Sequence, residues 1–593
     1  MASRYLISSY ARWTLLKICR PSLQPSLGPL SMRLPFGCQP TRLQFSTAPP
    51  NVKSQILKDL SHLDQRIVSQ EDTPYRDALD ILHRLSKLQT AGSKRQPFPT
   101  DVMAALLDLV RSLADQGRIT DALRYIETCI EVQSRYSVTE ASEGWLADAL
   151  SLRSLLSQHD HNNVDALKYA QEAAKVCQKL VVDHGSSYNS YLAAALMNLG
   201  CRYHEMDETD HAISALKRAI LLARQQQPLQ SPPEQSRTLG EALTQLSFMQ
   251  LRAAPEEALR NALEALGLAR AAVATNDGGS SSFSPTLAEA VTHCVRVLLS
   301  LQRGDEVGEY VHELKSLCAD LAPADVQREE LLENLTEAAK VLLEHREFEH
   351  ALAIAMAVKE SQPEGRDKWV AAEIAFTLAA CYSELGALDS AKIHIQECIL
   401  QHEVEGASRL QELASAHSEH SRILLMAQDI AGSTAACVNA VQVQRRVVVG
   451  SEDADQHVNL GMFLVEVSRC RLALQQWDAA LEATEEAIQI CQNNLRVPVA
   501  HTCLAGAYLG KMKAYVGLQD HTNVIDTADK LQLILQTSLE EDGYSPSTFA
   551  SLIESVEMMI PSLKELDKEE ELLEAKEMLE ALRGLEAQAL SGS

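Results

Sequence analysis

An all-α solenoid, built from antiparallel helix pairs and wound into a right-handed superhelix, is the fold class this sequence predicts. Three observations predict it. Small residues recur at fixed spacings, as in Leu199-Gly200-x2-Tyr203-x8-Ala212-x6-Ala219 and Leu378-Ala379-x2-Tyr382-x3-Gly386-x4-Ala391-x6-Cys398. Shorter copies read Gly117-x4-Ala122-x6-Cys129, Phe348-x2-Ala351-x6-Val358 and Trp477-x2-Ala480-x6-Ala487. Ala, Leu, Glu, Gln and Arg dominate, all good helix formers, while aromatics make up only 5% and no strand-like alternation occurs. At 593 residues the chain is also too long for one globular core. A repeated hairpin accounts for all three, because each unit buries its apolar stripe only by stacking on a neighbour.

Taken in order, the first segment differs from the rest. Residues 1–48 hold Arg4, Arg12, Lys17, Arg20, Arg33 and Arg42 with no Asp or Glu, and are rich in Ser, Leu and Pro. Ala2 to Arg20 reads as a basic amphipathic helix carrying Tyr5, Leu6, Trp13, Leu15, Leu16 and Ile18. This composition is that of an organelle transit peptide. It is expected to span 1–45, with a mitochondrial-type cut after Phe45 in Arg42-Leu43-Gln44-Phe45-Ser46-Thr47, one residue longer than the usual Arg-x-Phe-Ser pattern. The Arg-bearing helix favours the mitochondrial matrix; the plastid stroma is the alternative. Residues 46–100 follow as an N-terminal helical segment, and 101–590 as the solenoid of about ten or eleven hairpins. Apolar residues return at helical intervals through Leu192, Ala195, Leu196 and Leu199, then through Ile213, Leu216, Ile220 and Leu221, around a polar turn at Asp207–Asp210. Loops are predicted at Gln225–Gln235, with three prolines, and at Asn276–Pro285, rich in Gly and Ser. The charged stretch Leu563–Leu590 reads as the polar cap that an exposed solenoid end requires.

The repeat resembles the tetratricopeptide family (TPR) over roughly residues 101 to 590. Ala122, Ala166, Ala212 and Ala258 lie 44, 46 and 46 residues apart, Ala351 and Ala391 lie 40 apart, and Ala480 and Val524 lie 44 apart. The family's usual repeat is about 34 residues, so these units are similar to the longer ones of the kinesin light chain group. The intervals of 93 residues (Ala258 to Ala351) and 89 (Ala391 to Ala480) each leave room for one degenerate hairpin, near Gly304 and near Ile430. The Gly-x2-Tyr and large-x2-Ala-x6-Ala spacings argue against HEAT repeats, which share the longer period.

Several function classes are excluded by chemistry. The chain carries 54 basic and 80 acidic side chains; removal of the six transit-segment bases leaves 48 against 80, a net charge of −32. Such a surface repels phosphate backbones, so nucleic acid is not an expected partner, and an organellar RNA-metabolism factor is the weaker alternative. Thirteen cysteines include no Cys-x2-Cys pair or zinc-type Cys-His spacing, and most, such as Cys129 and Cys398, fall where a thiol replaces Ala in packing. Unpaired thiols fit a reducing compartment. Gly506-x3-Gly510-Lys511-Met512 lacks the fourth spacer and the Ser or Thr of a phosphate loop and reads as helix. His417 and His420 share a helical face without zincin spacing, and His345 and His350 do not share one. No nucleophile elbow or paired catalytic carboxylate stands out. No catalytic residue, cofactor or metal site is expected, and no apolar run reaches the roughly 18 residues of a membrane span.

In the resembled family the first helix of each pair lines a concave groove, which is where binding is expected. Several first helices repeat an acid followed three residues later by a base: Asp108/Arg111, Glu337/Lys340, Glu419/Arg422 and Glu466/Arg469, with Lys513 equivalent in a later unit without an acid. By the same resemblance Asn198 and His204 face the groove. These residues read either as a ladder gripping an extended or acidic segment, or as ordinary i,i+3 ion pairs worth about 0.2–0.5 kcal/mol each. If they form a ladder, replacing Lys340, Arg422, Arg469 and Lys513 by Glu is expected to abolish binding of the main partner while leaving the fold intact. The family's carboxylate clamp for Hsp90-type tails is absent: Asn198 fits its middle position, but Ser151, Leu155, Gly240 and Thr244 stand at the flanking ones. The function expected is a non-catalytic protein-binding scaffold or assembly factor of the mitochondrial matrix. A cytosolic cargo adaptor resembling kinesin light chain is the alternative; it lacks a long heptad segment, Val52–Ser86 supplying only short helices.

Overall fold

The computed structural model describes residues 100–591, except 116–117, 135–138, 161, 226–232, 275–283, 320–327, 363–367, 452 and 543–545. The expected transit segment, and all but Thr100 of the segment after it, lie outside the described residues. Among the described residues there are 22 α-helices, three short 3-10 turns and no strand. They fall into two compact units whose boundary lies between Tyr310 and Val311.

The first unit pairs α1 (Thr100–Asp115) with α2 (Ile119–Ser134), α3 (Glu140–His159) with α4 (Asn163–His184), α5 (Asn189–Glu205) with α6 (Thr209–Gln225), and α7 (Pro233–Gln250) with α8 (Pro255–Ala274). Helix α9 (Ser284–Ser300) follows, and α10 (Val307–Ala319) carries the boundary. The second unit pairs α11 (Arg328–Glu344) with α12 (Phe348–Ser361), α13 (Lys368–Glu384) with α14 (Leu388–Glu405), and α15 (Leu410–Met426) with α16 (Ile430–Val448). It continues with α17 (Ala454–Ala473) and α18 (Trp477–Asn493), α19 (Pro498–Leu518) and α20 (His521–Asp542), and α21 (Pro546–Glu565) with the acidic α22 (Glu569–Ser591). Ten pairs thus lie wholly within one unit or the other. The loop expected to run to Gln235 is shorter than that, since α7 begins at Pro233, and proline's fixed φ suits a first helical turn. The expected cap divides between the end of α21 and α22.

One turn geometry repeats through both units. Asp207, Gln302, Arg346, Gly386, Gln428, Gln475, Gln519 and Asp567 all have positive φ, from 52° to 80°. The residue after each donates its backbone N–H to a carbonyl five positions back, as Glu208 does to Tyr203, Glu347 to Leu342 and Gln476 to Arg471, each at 2.9 Å. This left-handed C-cap satisfies the last carbonyls of the first helix and reverses the chain. Five residues beyond each of the first seven positive-φ residues comes a side chain with no exposed surface: Ala212, Val307, Ala351, Ala391, Ser433, Ala480 and Val524. Ala122, Ala166 and Ala258 occupy the same place in the remaining pairs and are also fully buried. The two degenerate units are therefore regular in backbone. Val307 and Ser433 stand where alanine would have revealed them.

Glycine is required where helices cross most tightly. A Cβ on Gly200 would lie 2.9 Å from Leu216 Cγ and 3.2 Å from the Ala212 carbonyl oxygen, so α5 and α6 touch through bare backbone. On Gly517 a Cβ would meet the Trp477 ring at 2.5 Å, the ring of α18 lying flat against α19. Gly517→Ala is expected to cost about 1–3 kcal/mol by displacing that indole. Urea unfolding followed by Trp fluorescence would report it, and an unchanged midpoint would mean the ring has room to move.

Neighbouring first helices also pack directly on one another: α1 on α3, α3 on α5 and α5 on α7 in the first unit, α11 on α13, α17 on α19 and α19 on α21 in the second. Second helices of successive pairs do not pack to a comparable extent. Over these stretches the first helices form the more closely spaced, inner row, while α15 and α17 stand no closer than second helices do.

Candidate functional site

All eleven residues predicted from sequence lie on first helices: Asp108 and Arg111 on α1, Asn198 and His204 on α5, Glu337 and Lys340 on α11, Glu419 and Arg422 on α15, Glu466 and Arg469 on α17, and Lys513 on α19. Within each unit they lie along the row of first helices. Three of the four predicted acid–base pairs form, Arg111 to Asp108 at 2.8 Å, Arg422 Nε to Glu419 at 2.8 Å and Arg469 to Glu466 at 2.7 Å. The fourth base behaves differently. Lys340 pairs with Glu373 of α13 and stands 5.6 Å from the centre of the Trp369 ring. Lys513, expected to have no acid, meets Glu554 of α21 at 2.8 Å.

These partners explain the common offset of the cations. Arg111, Lys340, Arg422, Arg469 and Lys513 each precede the buried packing residue of their pair by eleven positions. Lys340 and Lys513 use that position to reach across to the next first helix, and Arg422 reaches back to the preceding one. Arg422 is the strongest case. It donates to Glu419 on its own helix, to Glu384 of α13 at 2.7 Å and to the Ser383 hydroxyl at 2.5 Å. Its side chain is 15% exposed, against 7% for Glu419 and 17% for Glu384. Burial opposes its charge, but Glu419 and Glu384 outweigh that and raise its pKa. At Arg422 a change to Glu would bury a third carboxylate between Glu419 and Glu384, which weighs against the expectation that the fourfold reversal spares the fold.

The first unit holds polar residues that the sequence reading missed. Arg202 of α5 is 1% exposed and lies 3.0 Å from Glu205, which also accepts 2.6 Å from Gln158 Nε2 of α3. Here the base precedes the acid, so a search for acid-then-base spacing passes it by. Asn198 sits one helical turn before Arg202, half-buried, and His204 packs edge-on to Phe248 of α7 at 5.9 Å. Asp148 of α3 is nearly buried, and its pKa is raised to about 8 by burial, with Arg111 pulling the other way. The folded state thus holds its proton where an unfolded aspartate, at about 3.9, would lose it. Stability from this group is full below that value and is lost as pH rises towards 8. Asp148→Asn should therefore melt higher than wild type at pH 7, with the gap closing near pH 4. An equal gap at both pH values would place the effect elsewhere than in the proton.

Other singled-out residues are structural. All eleven described cysteines are buried, Cys129 and Cys398 completely, and burial pushes both thiols up. Gly506, Gly510 and Lys511 lie within α19, and Lys511 pairs with Glu485 of α18 at 3.0 Å. His417 is buried and neutral at ordinary pH, its pKa lowered to about 4 by burial and by His420. Among the described residues no three His, Cys, Asp or Glu side chains are grouped to hold a metal, and no helix is long and apolar enough to cross a membrane.

Fold and inner row define the class: a helical-repeat protein of the tetratricopeptide type, assembled from stacked antiparallel pairs. A family model described as Anaphase-promoting complex subunit 5 matches residues 151–231 and 439–508, well under half of the chain. No curated protein matches. Many solved structures match, and three of them share 12–15% identity with this chain. BtubC (BKLC) from P. vanneervenii aligns over 40% of this chain and 91% of its own, with a TM-score of 0.34 and 15% identity. The apo quorum sensor NprR from B. thuringiensis aligns over 66% and 98%, at 0.36 and 14%. The apo form of RapI aligns over 75% and 99%, at 0.39 and 12%. At such identities and scores none of the three passes on a function.

Proposed function

We propose that the chain is a non-catalytic scaffold or assembly factor of the mitochondrial matrix, holding partner proteins along its first helices. The observation that carries this reading is the inner row itself. It presents cations at one shared offset on five first helices, at Arg111, Lys340, Arg422, Arg469 and Lys513. The partial likeness to a subunit of a multiprotein complex agrees with a part that holds others. The acid-free, Arg-bearing segment 1–45 supports the compartment, and a net charge of −32 after its removal favours partners with basic surfaces. Because Lys340, Arg422 and Lys513 brace neighbouring first helices, the better contact positions are the more open ones, Asp108 and Arg469 among them. Affinity purification of the mature protein from isolated mitochondria tests the reading. A stoichiometric protein partner and a new N-terminus near Ser46 are the expected results. A cytosolic protein retaining Met1 would overturn the compartment, and crosslinked RNA in place of a protein partner would overturn the scaffold.

A further inference from the structure

Four of the buried thiols in the second unit meet in twos, and each meeting spans a boundary between helix pairs. Cys437 lies on α16, the second helix of its pair, and Cys470 on α17, the first helix of the next. Their sulfurs are 4.0 Å apart. Cys491 on α18 and Cys503 on α19 lie near each other one boundary further on. Gly461 makes room for this second meeting, since a Cβ there would lie 3.1 Å from Cys491 Sγ and 3.2 Å from Cys503 Sγ. Packing alone does not require either coincidence. Cys129 and Cys398, buried at least as deeply, sit at small-residue packing positions.

The surroundings of the first couple suit thiol chemistry. Ser421 Oγ is 2.8 Å from Cys437 Sγ and 2.7 Å from Ser433 Oγ, and Ser433 Oγ is 3.3 Å from Cys470 Sγ. The two hydroxyls bridge the two sulfurs. The Cys470 sulfur and burial push Cys437 up, while the Cys437 thiol, with the Ser433 hydroxyl, lowers Cys470 against its own burial. Cys470 is thus the attacking sulfur of the couple.

We propose that Cys437 with Cys470, and Cys491 with Cys503, form two disulfides under peroxide, locking three consecutive helix pairs (α15–α16, α17–α18 and α19–α20) to one another. The Cys470 thiolate attacks the O–O bond of hydrogen peroxide, giving a sulfenic acid and, with one proton, water. The Cys437 sulfur then displaces the sulfenic oxygen, which leaves as a second water, and the S–S bond forms. Two thiols lose two electrons and two protons, and one peroxide becomes two waters. The same stoichiometry applies to Cys491 and Cys503. A solenoid is held together by contacts between nearest neighbours, so a covalent bond at two successive boundaries stiffens it where it flexes.

The test treats the reduced full chain with hydrogen peroxide, alkylates what remains free, and digests with trypsin. Each of the four thiols falls in its own peptide, 423–445, 470–471, 472–496 and 497–511. The expected products link the first to the second and the third to the fourth. Amide exchange across α16–α19 should slow several-fold on oxidation and recover on reduction. Cys470→Ser should lose the first link and keep the second; Cys503→Ser should do the reverse. Four alkylated thiols in the folded, treated protein would overturn the proposal, as would links between the two couples. Correct links with unchanged exchange would overturn the lock.

Discussion

Arg422→Met will destabilise the second unit by about 3–5 kcal/mol, the usual cost of removing one partner from a buried ion pair. Methionine fills similar space but offers no cation, so Glu419 is left beside Glu384 with the charge that held both removed. The cost is one of electrostatics and desolvation rather than of volume, and that makes it testable in two ways. Chemical unfolding should give the loss at pH 7. Arg422→Met combined with Glu384→Gln and Glu419→Gln should recover much of it, because a neutral polar trio no longer buries unbalanced charge. A single mutant as stable as wild type, or a triple mutant no better than the single, would show that Arg422 is not the brace its contacts describe. Arg422→Lys should also fall short of wild type, since an ammonium lacks the planar fork that reaches two carboxylates and Ser383 at once.

That prediction shows where sequence reading stops. The i,i+3 pair Glu419/Arg422 was legible because helical periodicity places both on one face. Glu384, 38 residues earlier, was not, since nothing local marks which acid a neighbouring first helix will offer. The same gap hid Glu373 from Lys340 and Glu554 from Lys513. Of the five cations that read either as a ladder or as ion pairs, three pair with an acid on a neighbouring first helix. The turns were legible for the opposite reason. A hairpin's reversal depends on residues next to one another, so Ala212, Ala391 and Ala480 could be placed from spacing alone. Val307 and Ser433 escaped because their backbone keeps the repeat while their side chains leave the alanine pattern. The meeting of Cys437 with Cys470 lay out of reach, because each thiol reads in isolation as a small core residue.

Ala212→Leu and Ala391→Leu should each cost about 1–3 kcal/mol by overpacking a helix crossing. Both alanines are completely buried, at equivalent places five residues after the positive-φ turn residues Asp207 and Gly386. Ala212 sits where α6 passes closest to α5, its own carbonyl oxygen 3.2 Å from the place a Gly200 Cβ would take. Leucine's three extra carbons have no void to enter there, and they would push α6 off α5 or force an off-rotamer side chain. Ala391 is packed with Ala375, Ala379, Ile395 and Ala416 of α13, α14 and α15, so growth at that point strains the crossing and the next boundary together. Thermal melting of each variant, with circular dichroism to confirm retained helix, gives the measurement. Two mutants melting with wild type would mean that these alanines do not set the distance between paired helices, and the register of the whole repeat would have to be redrawn.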